Sequence, residues 1–247
     1  MFRATLSDVD LLKNSVPIIA EIVDEGIFNV DQNGISLLTP DRTMVSVVDF
    51  KILSSAFDDF KAEGTESLGL RLGELAAVLK RVKGASKLTL ESTKNRLKLK
   101  IEGNGARTFE IPLIDVKTEK PPVEQLKFPA TIEVDSSIIE EGIADAELIG
   151  DSVVVEANPN LFRMLAKGDI SSAQLELKQG ETGLTGLVVK EAVKSQYPLD
   201  YLKKMIKAAR LSGKLRLEFG TDYPMRLSFK ETGKISLSFV LAPRVQE

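Results

Sequence analysis

The sequence repeats itself at a spacing of about 127 residues. Three pairs of segments align: LGELAAVLKRVK at 72–83 with LDYLKKMIKAAR at 199–210, NVDQN at 29–33 with EANPN at 156–160, and, one position further apart, FEIPL at 109–113 with LSFVL at 237–241. Self-similarity at a fixed spacing indicates that one structural unit occurs twice. We therefore expect two equivalent domains, at 1–116 and 131–247, joined by a connector at 117–130.

Each half combines two kinds of hydrophobic periodicity. Apolar residues three and four apart predict helices at 72–83 and 199–210, and helices also fit 9–24 and 136–148, although Pro17 would remove a hydrogen bond from the first of these. Alternating patterns predict strands at LKLKI, FEIPL, LRLEF, MRLSF and ISLSFV, and Asn33-Gly34 predicts a hairpin. Antiparallel sheets with one face covered by two helices per half make an α+β fold.

The composition excludes most catalytic chemistry. The 247 residues include no cysteine and no histidine, which rules out disulfides, thiolate nucleophiles, Cys/His zinc sites and Ser-His relays. No phosphate-binding loop or dinucleotide fingerprint occurs, so we expect no cofactor. The acid pairs DVD at 8–10 and FDDF at 57–60 lack calcium-loop spacing, and they leave a carboxylate-based, metal-dependent hydrolase as one open alternative.

No run of about 18 apolar residues occurs, and the start MFRATLSDVD lacks the features of a secretory signal. We therefore expect an intracellular protein that contacts no membrane.

Positive charge is concentrated on the two repeat-related helices, in a chain whose formal net charge is -3. The first segment has four basic residues and one acidic residue, Arg71, Lys80, Arg81, Lys83 and Glu74. The second also has four basic residues and one acidic residue, Lys203, Lys204, Lys207, Arg210 and Asp200. On an α-helix Lys203, Lys207 and Arg210 would share one stripe opposite the apolar face. These stripes suggest a polyanion, whereas the acidic segments 8–25 and 135–148 do not.

The connector LIDVKTEKPPVEQLKFP at 113–129 holds three prolines but keeps Leu126 and Phe128 between charged neighbours. A plain linker would tuck both side chains into the nearest core. A binding segment would instead leave them on the surface for a partner.

Four motifs in order, LTPDR at 38–42, PLID at 112–115, VEQLKFP at 123–129 and VLAPRV at 240–245, make the chain resemble sliding clamps of the proliferating cell nuclear antigen type, in particular archaeal ones. The resemblance implies two DNA-clamp domains per chain and three chains in a head-to-tail ring, with sheets outside and helices around a hole for duplex DNA. It also implies that the strand near 108–115 pairs with the neighbour's strand near 172–178. The protein would be non-enzymatic and without a metal, cytoplasmic beside an archaeal nucleoid, or nuclear in a eukaryote.

The resemblance also assigns residues to the channel. Lys13, Lys80 and Lys207 match the family's DNA-contacting positions, and Lys83, Lys203 and Arg210 lie nearby. Glu141 and Ala144 occupy positions where relatives have basic residues. A partner subunit could therefore supply the missing positive charge. A specialised subunit of a heterotrimeric or checkpoint-type clamp is therefore a second alternative.

The connector would then form part of a groove for a partner peptide that carries a glutamine, an aliphatic residue and two aromatics. The implied groove residues are Pro40, Met44, Val45, Val47, Leu126, Phe128, Pro129, Pro224, Val240, Leu241, Ala242 and Pro243. The implied partners are non-specifically bound double-stranded DNA, and DNA polymerase, clamp loader, flap nuclease and ligase through short peptide motifs.

Overall fold

The computed structural model describes residues 1–84, 86–117 and 121–244. Its contacts divide the chain into two compact units. The first contains Met1–Pro121 and Lys230–Leu237, and the second contains Pro122–Phe229 and the segment from Ser238 onward. Part of the predicted connector, at 118–120, lies outside the described residues, as does Val245 of the VLAPRV motif.

The first unit consists of two antiparallel sheets and three short helices. Its elements are β1 (Phe2–Leu6), α1 (Asp10–Lys13), α2 (Val16–Ala20), β2 (Glu25–Asp31), β3 (Gly34–Pro40), β4 (Ser46–Leu53), β5 (Asp59–Ala62), β6 (Glu66–Arg71), α3 (Leu72–Leu79), β7 (Lys87–Ser92), β8 (Arg96–Gly103) and β9 (Gly105–Pro112). One sheet has the order β5-β1-β7-β8-β9, and β4-β3-β2-β6 are neighbours in the other. In most of these strands the alternating pattern buries one face, so that Phe28 and Phe50, for example, meet edge to face inside.

The second unit repeats this arrangement. Its elements are β10 (Ala130–Asp135), α4 (Ser136–Glu147), β11 (Ser152–Asn158), β12 (Leu161–Lys167), β13 (Ser172–Lys178), β14 (Leu184–Val189), β15 (Val193–Pro198), α5 (Leu199–Met205), β16 (Lys214–Phe219) and most of β17 (Met225–Glu231). The last strand, β18 (Ile235–Leu241), is shared: residues 235–237 belong to the first unit and residues 238–241 to the second. Its sheets contain the orders β14-β10-β16-β17 and β13-β12-β11-β15. The prediction of an α+β fold with two repeated domains is confirmed, and every strand predicted from alternation is present.

The repeat holds at the level of single hydrogen bonds. In the first unit the Asp31 carboxylate accepts a bond of 2.7 Å from the backbone of Asn33, and in the second the Asn158 side chain accepts one of 2.9 Å from Asn160. Both are turns closed by the side chain two residues earlier. Because each pair is displaced by the same 127 positions as the sequence repeat, the two turns occupy equivalent places.

The predicted hairpin is present, but its turn lies one residue earlier than Asn33-Gly34. Asp31 pairs with Gly34, so Gln32 and Asn33 form the loop and Gly34 begins β3. Gly34 has a φ of 141°, and a Cβ there would lie 2.1 Å from the Ile52 carbonyl oxygen. Glycine is therefore required by close approach to β4 as well as by backbone conformation.

Replacing Gly34 by alanine should lower the free energy of unfolding by roughly 3 kcal/mol, because the new methyl group meets backbone atoms that cannot turn away. Gly73 offers a matched control, since it lies in α3 with a free approach to its Cβ position. Gly73→Ala should be neutral or stabilising by ~0.5 kcal/mol. Denaturant unfolding of both variants checks this, and equal stabilities would contradict the steric argument.

The helix predicted at 9–24 is wrong as one continuous element. It is broken into α1 and α2 at Asn14 and Ser15, where the buried Ser15 hydroxyl donates a bond of 2.7 Å to the Leu11 carbonyl. Because α2 begins there, Pro17 lies in its first turn. Backbone N–H groups in the first turn of a helix form no intrahelical hydrogen bond, so proline, which has no N–H, is tolerated at this position. The equivalent helix of the second unit has no proline, and α4 runs unbroken over twelve residues.

The basic helices also differ from the prediction at their ends. α3 ends at Leu79, so Lys80 is its C-cap and Lys83 lies beyond it. α5 ends at Met205 and continues as a tighter 3-10 helix, Ile206–Arg210. The stripe of Lys203, Lys207 and Arg210 is therefore not a single α-helical stripe, although Lys207 and Arg210, three residues apart, remain on one face of the 3-10 helix.

Candidate functional site

Four basic residues of the first unit gather where α3 ends beside β9. Lys80, Arg81, Lys83 and Arg107 line one open cleft, and no carboxylate is among its lining residues in the described part of the chain. The Arg107 guanidinium donates a bond of 3.1 Å to the Arg81 carbonyl, which holds the cleft closed at one side. These four side chains, the basic cluster, form no ion pair within residues 1–84, 86–117 and 121–244.

Lys13, the remaining predicted channel residue of this unit, is the last residue of α1. It lies 3.4 Å from Asp10 in a one-turn ion pair. A cation at a helix C-terminus also interacts favourably with the helix dipole, as Lys80 does at the end of α3. For these two lysines local helix stabilisation competes with a role in polyanion binding.

In the second unit an acidic helix lies beside a basic one. Lys203 of α5 pairs with Glu147 of α4, so part of the predicted positive charge is neutralised within the unit. Lys204 stacks over the Tyr201 ring, with its Nζ 5.5 Å from the centroid. Lys207 and Arg210 follow in the 3-10 helix, and the Arg210 side chain is exposed.

The other acids of α4 are differently placed. Glu140, Glu141 and Asp145 are exposed and have no ion-pair partner among the described residues. Gly142, between them, packs against β13: a Cβ there would lie 2.8 Å from Leu175. Glu141 and Asp145, one turn apart beside this contact, are named the acidic pair.

Two strands that the resemblance assigned to subunit contacts are edge strands. β9 ends the first sheet of the first unit, and β13 ends a sheet of the second. Their outward groups are available for pairing with another strand. The basic cluster therefore lies beside one edge and the acidic pair beside the other.

The LTPDR turn in the first unit is held by Asp41. This buried side chain accepts hydrogen bonds from the backbone of Ser46, at 2.8 Å, and from Thr43. Met44 adopts a φ of 59° and is 64% exposed, an unusual combination for a large apolar side chain. The other predicted groove residues of this unit, Pro40, Val45 and Val47, are half-buried.

The connector in the second unit is fastened by Arg226, a residue that sequence reasoning missed. Its guanidinium donates a bond of 2.7 Å to the Val123 carbonyl and lies 4.9 Å from the centre of the Phe128 ring. Phe128 also packs edge to face on Tyr223, at 5.8 Å. Leu126, Phe128 and Pro129 remain half-buried, so the connector is neither free nor absorbed into the core.

Tyr223 is positioned in turn by Tyr197. The Tyr197 hydroxyl donates a bond of 2.7 Å to the Tyr223 carbonyl. Burial raises the pKa of Tyr197 well above its usual value, which keeps this hydroxyl protonated as a donor. An alternating strand pattern gives no signal for either tyrosine's role.

Two of the predicted groove residues, at the end of β18, are buried. Leu241 has no exposed surface and Val240 is 7% exposed, so both belong to the core and support the surface from beneath rather than offering side chains to a partner. Pro224, Ala242 and Pro243 are half-buried. β18 continues through Leu241, and its last three residues are all buried, so side chains on both faces of the strand are covered there.

The acid pairs DVD and FDDF hold local structure. Asp8 pairs with Lys234 at 3.2 Å, and Asp58 accepts a bond of 2.6 Å from the Ser7 hydroxyl. Asp10 pairs with Lys13, and Asp59 lies 3.8 Å from Lys61. Among the described residues no group of three or more acidic side chains converges as metal ligands. These contacts favour ordinary surface and capping roles over a hydrolase site.

Two copies of one antiparallel α+β domain, with basic residues at equivalent helix ends, define the class of duplicated clamp folds. Residues 1–119 match the family model "Proliferating cell nuclear antigen, N-terminal domain", and residues 122–244 match the corresponding "C-terminal domain" model. The chain belongs to the proliferating cell nuclear antigen family.

Relatives match over nearly the whole chain. The DNA polymerase sliding clamp of Nanoarchaeum equitans is 33% identical, over 98% of this chain and 99% of its own length. That of Methanobrevibacter smithii is 32% identical, over 100% and 99%. The crystal structure of PCNA from Thermococcus kodakaraensis superposes with a TM-score of 0.92 at 24% identity, covering 99% of this chain and all of that one, which shows the shared fold.

Within the described residues, no helix has the length and apolar character needed to cross a bilayer.

Proposed function

We propose that this chain is a DNA polymerase processivity factor, a ring-shaped sliding clamp that encircles duplex DNA and tethers replication and repair enzymes. The observation that carries the proposal is family membership over both repeats, together with basic residues at the ends of the equivalent helices α3 and α5. In this role the chain binds and tethers, and it catalyses no reaction. The test is whether it extends the product length of an archaeal DNA polymerase on primed circular DNA in the presence of a clamp loader.

Three copies would close head to tail through β9 of one chain and β13 of the next. Pairing these edges satisfies their backbone groups and removes two exposed edges per chain. The charges beside them support the same contact, because Arg81 and Arg107 of the basic cluster next to β9 are complementary to the acidic pair next to β13. Since one chain carries both charges, identical copies suffice, which favours a homotrimer over a heterotrimeric or checkpoint-type assembly.

We propose that the bounds of the functional parts are the N-terminal domain at 1–116, the connector at 117–130 and the C-terminal domain at 131–247. The connector's three prolines restrict the backbone before a peptide binds, and this lowers the ordering cost of binding. The groove would take a short peptide with a glutamine, an aliphatic residue and two aromatics, contributed by polymerase, loader, flap nuclease or ligase.

The DNA-contacting residues in this proposal are Lys13, Lys80, Lys83, Lys203, Lys207 and Arg210. Lys203 already shares its charge with Glu147, so we assign it the weakest contact of the six. Such contacts carry no base specificity and hold the phosphate backbone loosely, which permits sliding.

Replacing Lys80 and Lys207 by alanine should shorten polymerase products on a primed circle, because each subunit then neutralises two fewer phosphates. The slope of log affinity for DNA against log salt should become shallower by about 0.9 for each phosphate that is no longer neutralised. Lys51→Ala with Lys94→Ala is the charge-matched control, since both lysines are exposed and lie on a strand and a strand-connecting turn of the first unit. Wild-type product lengths and salt slope in the Lys80/Lys207 variant would show that these lysines do not bind DNA.

A further inference from the structure

Two aspartates at equivalent positions of the repeat hold two arginines of the proposed groove segments. Asp24 lies 3.3 Å from Arg42 of the LTPDR turn, and Asp151 lies 2.6 Å from Arg244 of the tail. Asp24 and Asp151 are separated by 127 residues, the spacing of the repeat. The first pair belongs to the first unit and the second pair to the second.

Both aspartates are fixed by their backbones. The Asp24 carbonyl accepts a bond of 2.9 Å from the amide of Leu72, which begins α3, and the Asp151 carbonyl accepts one of 2.9 Å from Leu199, which begins α5. A helix start that is anchored in the sheet is a rigid point of the fold. Each carboxylate therefore stands at a defined place beside a less regular segment.

The duplication does not explain why Arg42 pairs with Asp24. The position equivalent to Arg42 in the second half is residue 169, which is an aspartate, and Arg244 comes from the opposite end of that half. The position equivalent to Arg244 in the first half is Lys117, which lines one cleft with Asp24 and Arg42. The acid therefore occurs in both halves, and the arginine that pairs with it comes from a different segment in each. What the two arginines share is their place: one lies in the turn that presents Met44, and the other directly follows Ala242 and Pro243.

Fold stability does not explain these pairs. Asp151 is 78% exposed and Arg42 86%, and exposed ion pairs contribute little to stability. In the tail, the Arg244 amide also donates a bond of 2.7 Å to the Gln196 carbonyl. Ordering a surface segment adds directly to the cost of binding a peptide to it, so a small local restraint acts on affinity more than on folding.

We propose that Asp24 and Asp151 are positioning residues, which hold the turn at 41–46 and the tail at 242–244 in the conformation that a partner peptide binds. The inference rests on the proposed peptide groove. The Arg244 guanidinium, by its hydrogen bond, also holds the pKa of Asp151 below its usual value, so this restraint is present at neutral pH.

Asp151→Asn removes the charge and keeps the shape of the side chain. We expect the affinity for a synthetic peptide with a glutamine, an aliphatic residue and two aromatics to fall roughly threefold, the change that an exposed ion pair supports. Asp24→Asn should have a similar effect. Calorimetric titration measures both, and Glu133→Gln, which breaks the 3.0 Å pair with Arg216 elsewhere in the second unit, should leave the affinity unchanged.

Two further measurements separate positioning from general structure. The reversed pair Asp151→Arg with Arg244→Asp should recover most of the affinity, and the Arg244 amide should exchange its hydrogen faster in Asp151→Asn but not in Glu133→Gln. An unchanged affinity in Asp151→Asn, or a reversed pair as weak as the single variant, would overturn the inference. Absence of peptide binding by the wild-type protein would instead overturn the groove itself.

Discussion

Replacing Arg81 and Arg107 by glutamate is expected to convert the proposed trimer into monomers at micromolar concentration. Both arginines belong to the basic cluster beside the β9 edge, and neither is among the proposed DNA contacts. In the assembled protein they would face the acidic pair, Glu141 and Asp145, of the next chain. Like charges placed against each other across an interface cost several kcal/mol, enough to outweigh the pairing of one strand edge. Light scattering measures the mass directly.

A second reversal in the same chain provides the control. Adding Glu141→Arg and Asp145→Arg to the first variant restores opposite charges at every interface of a homomeric ring, so trimers should return. Thermal unfolding of the fourfold variant should remain close to that of the wild type, since both are expected to assemble and the four side chains form no ion pairs within the described part of the chain. The Arg107 substitution removes only one hydrogen bond, to the Arg81 carbonyl. Trimers in the Arg81/Arg107 variant, or continued monomers after the fourfold change, would show that these charges do not face each other.

Leu126→Ala together with Phe128→Ala is expected to abolish binding of the glutamine-and-aromatic peptide while the trimer stays assembled. Both side chains are half-buried apolar groups on the connector, and burying their remaining surface against a peptide would supply most of the binding energy. Phe128 also lies between Tyr223 and Arg226, so its removal takes away the support of the groove floor. Titration with the peptide measures the effect, and light scattering the assembly.

Val188→Ala is the matched control for this pair of substitutions. Val188 is 64% exposed on β14 of the same unit and lies outside the proposed groove. Its removal should leave peptide affinity unchanged. Equal affinity of the wild type and the Leu126/Phe128 variant would show that the peptide binds elsewhere.

The repeat and the strands could be predicted because each depends on neighbours in the sequence. Alternation over five to seven residues determines which face of a strand is buried, and the displacement by 127 residues carries that pattern from one half to the other. The hairpin at Asp31–Gly34 could be predicted for the same reason. Its exact loop depends on Gly34 lying against the Ile52 carbonyl, a contact that no local pattern reveals.

The candidate sites were harder to predict from the sequence, because their contacts join residues that are far apart in the chain. Arg226 reaches Val123 across 103 positions, and Lys203 reaches Glu147 across 56. Neither partner has a distinctive sequence signature. The break at Ser15 is different: Pro17 signals an interruption, but the hydroxyl bond to Leu11 decides where the helix stops. Burial of Val240 and Leu241 follows from how far β18 extends, which depends on its neighbouring strands.

The interrupted α1 and α2 of the first unit and the unbroken α4 of the second distinguish halves that otherwise share one framework. In a closed ring of three chains these two designs would alternate, giving six domains around the circle. A molecule bound inside such a ring would then contact a surface with threefold symmetry, although the backbone framework has nearly sixfold symmetry. The duplication thus gives each chain two sites that mutation can change separately, whereas a ring of six single domains would have to change all of its sites together.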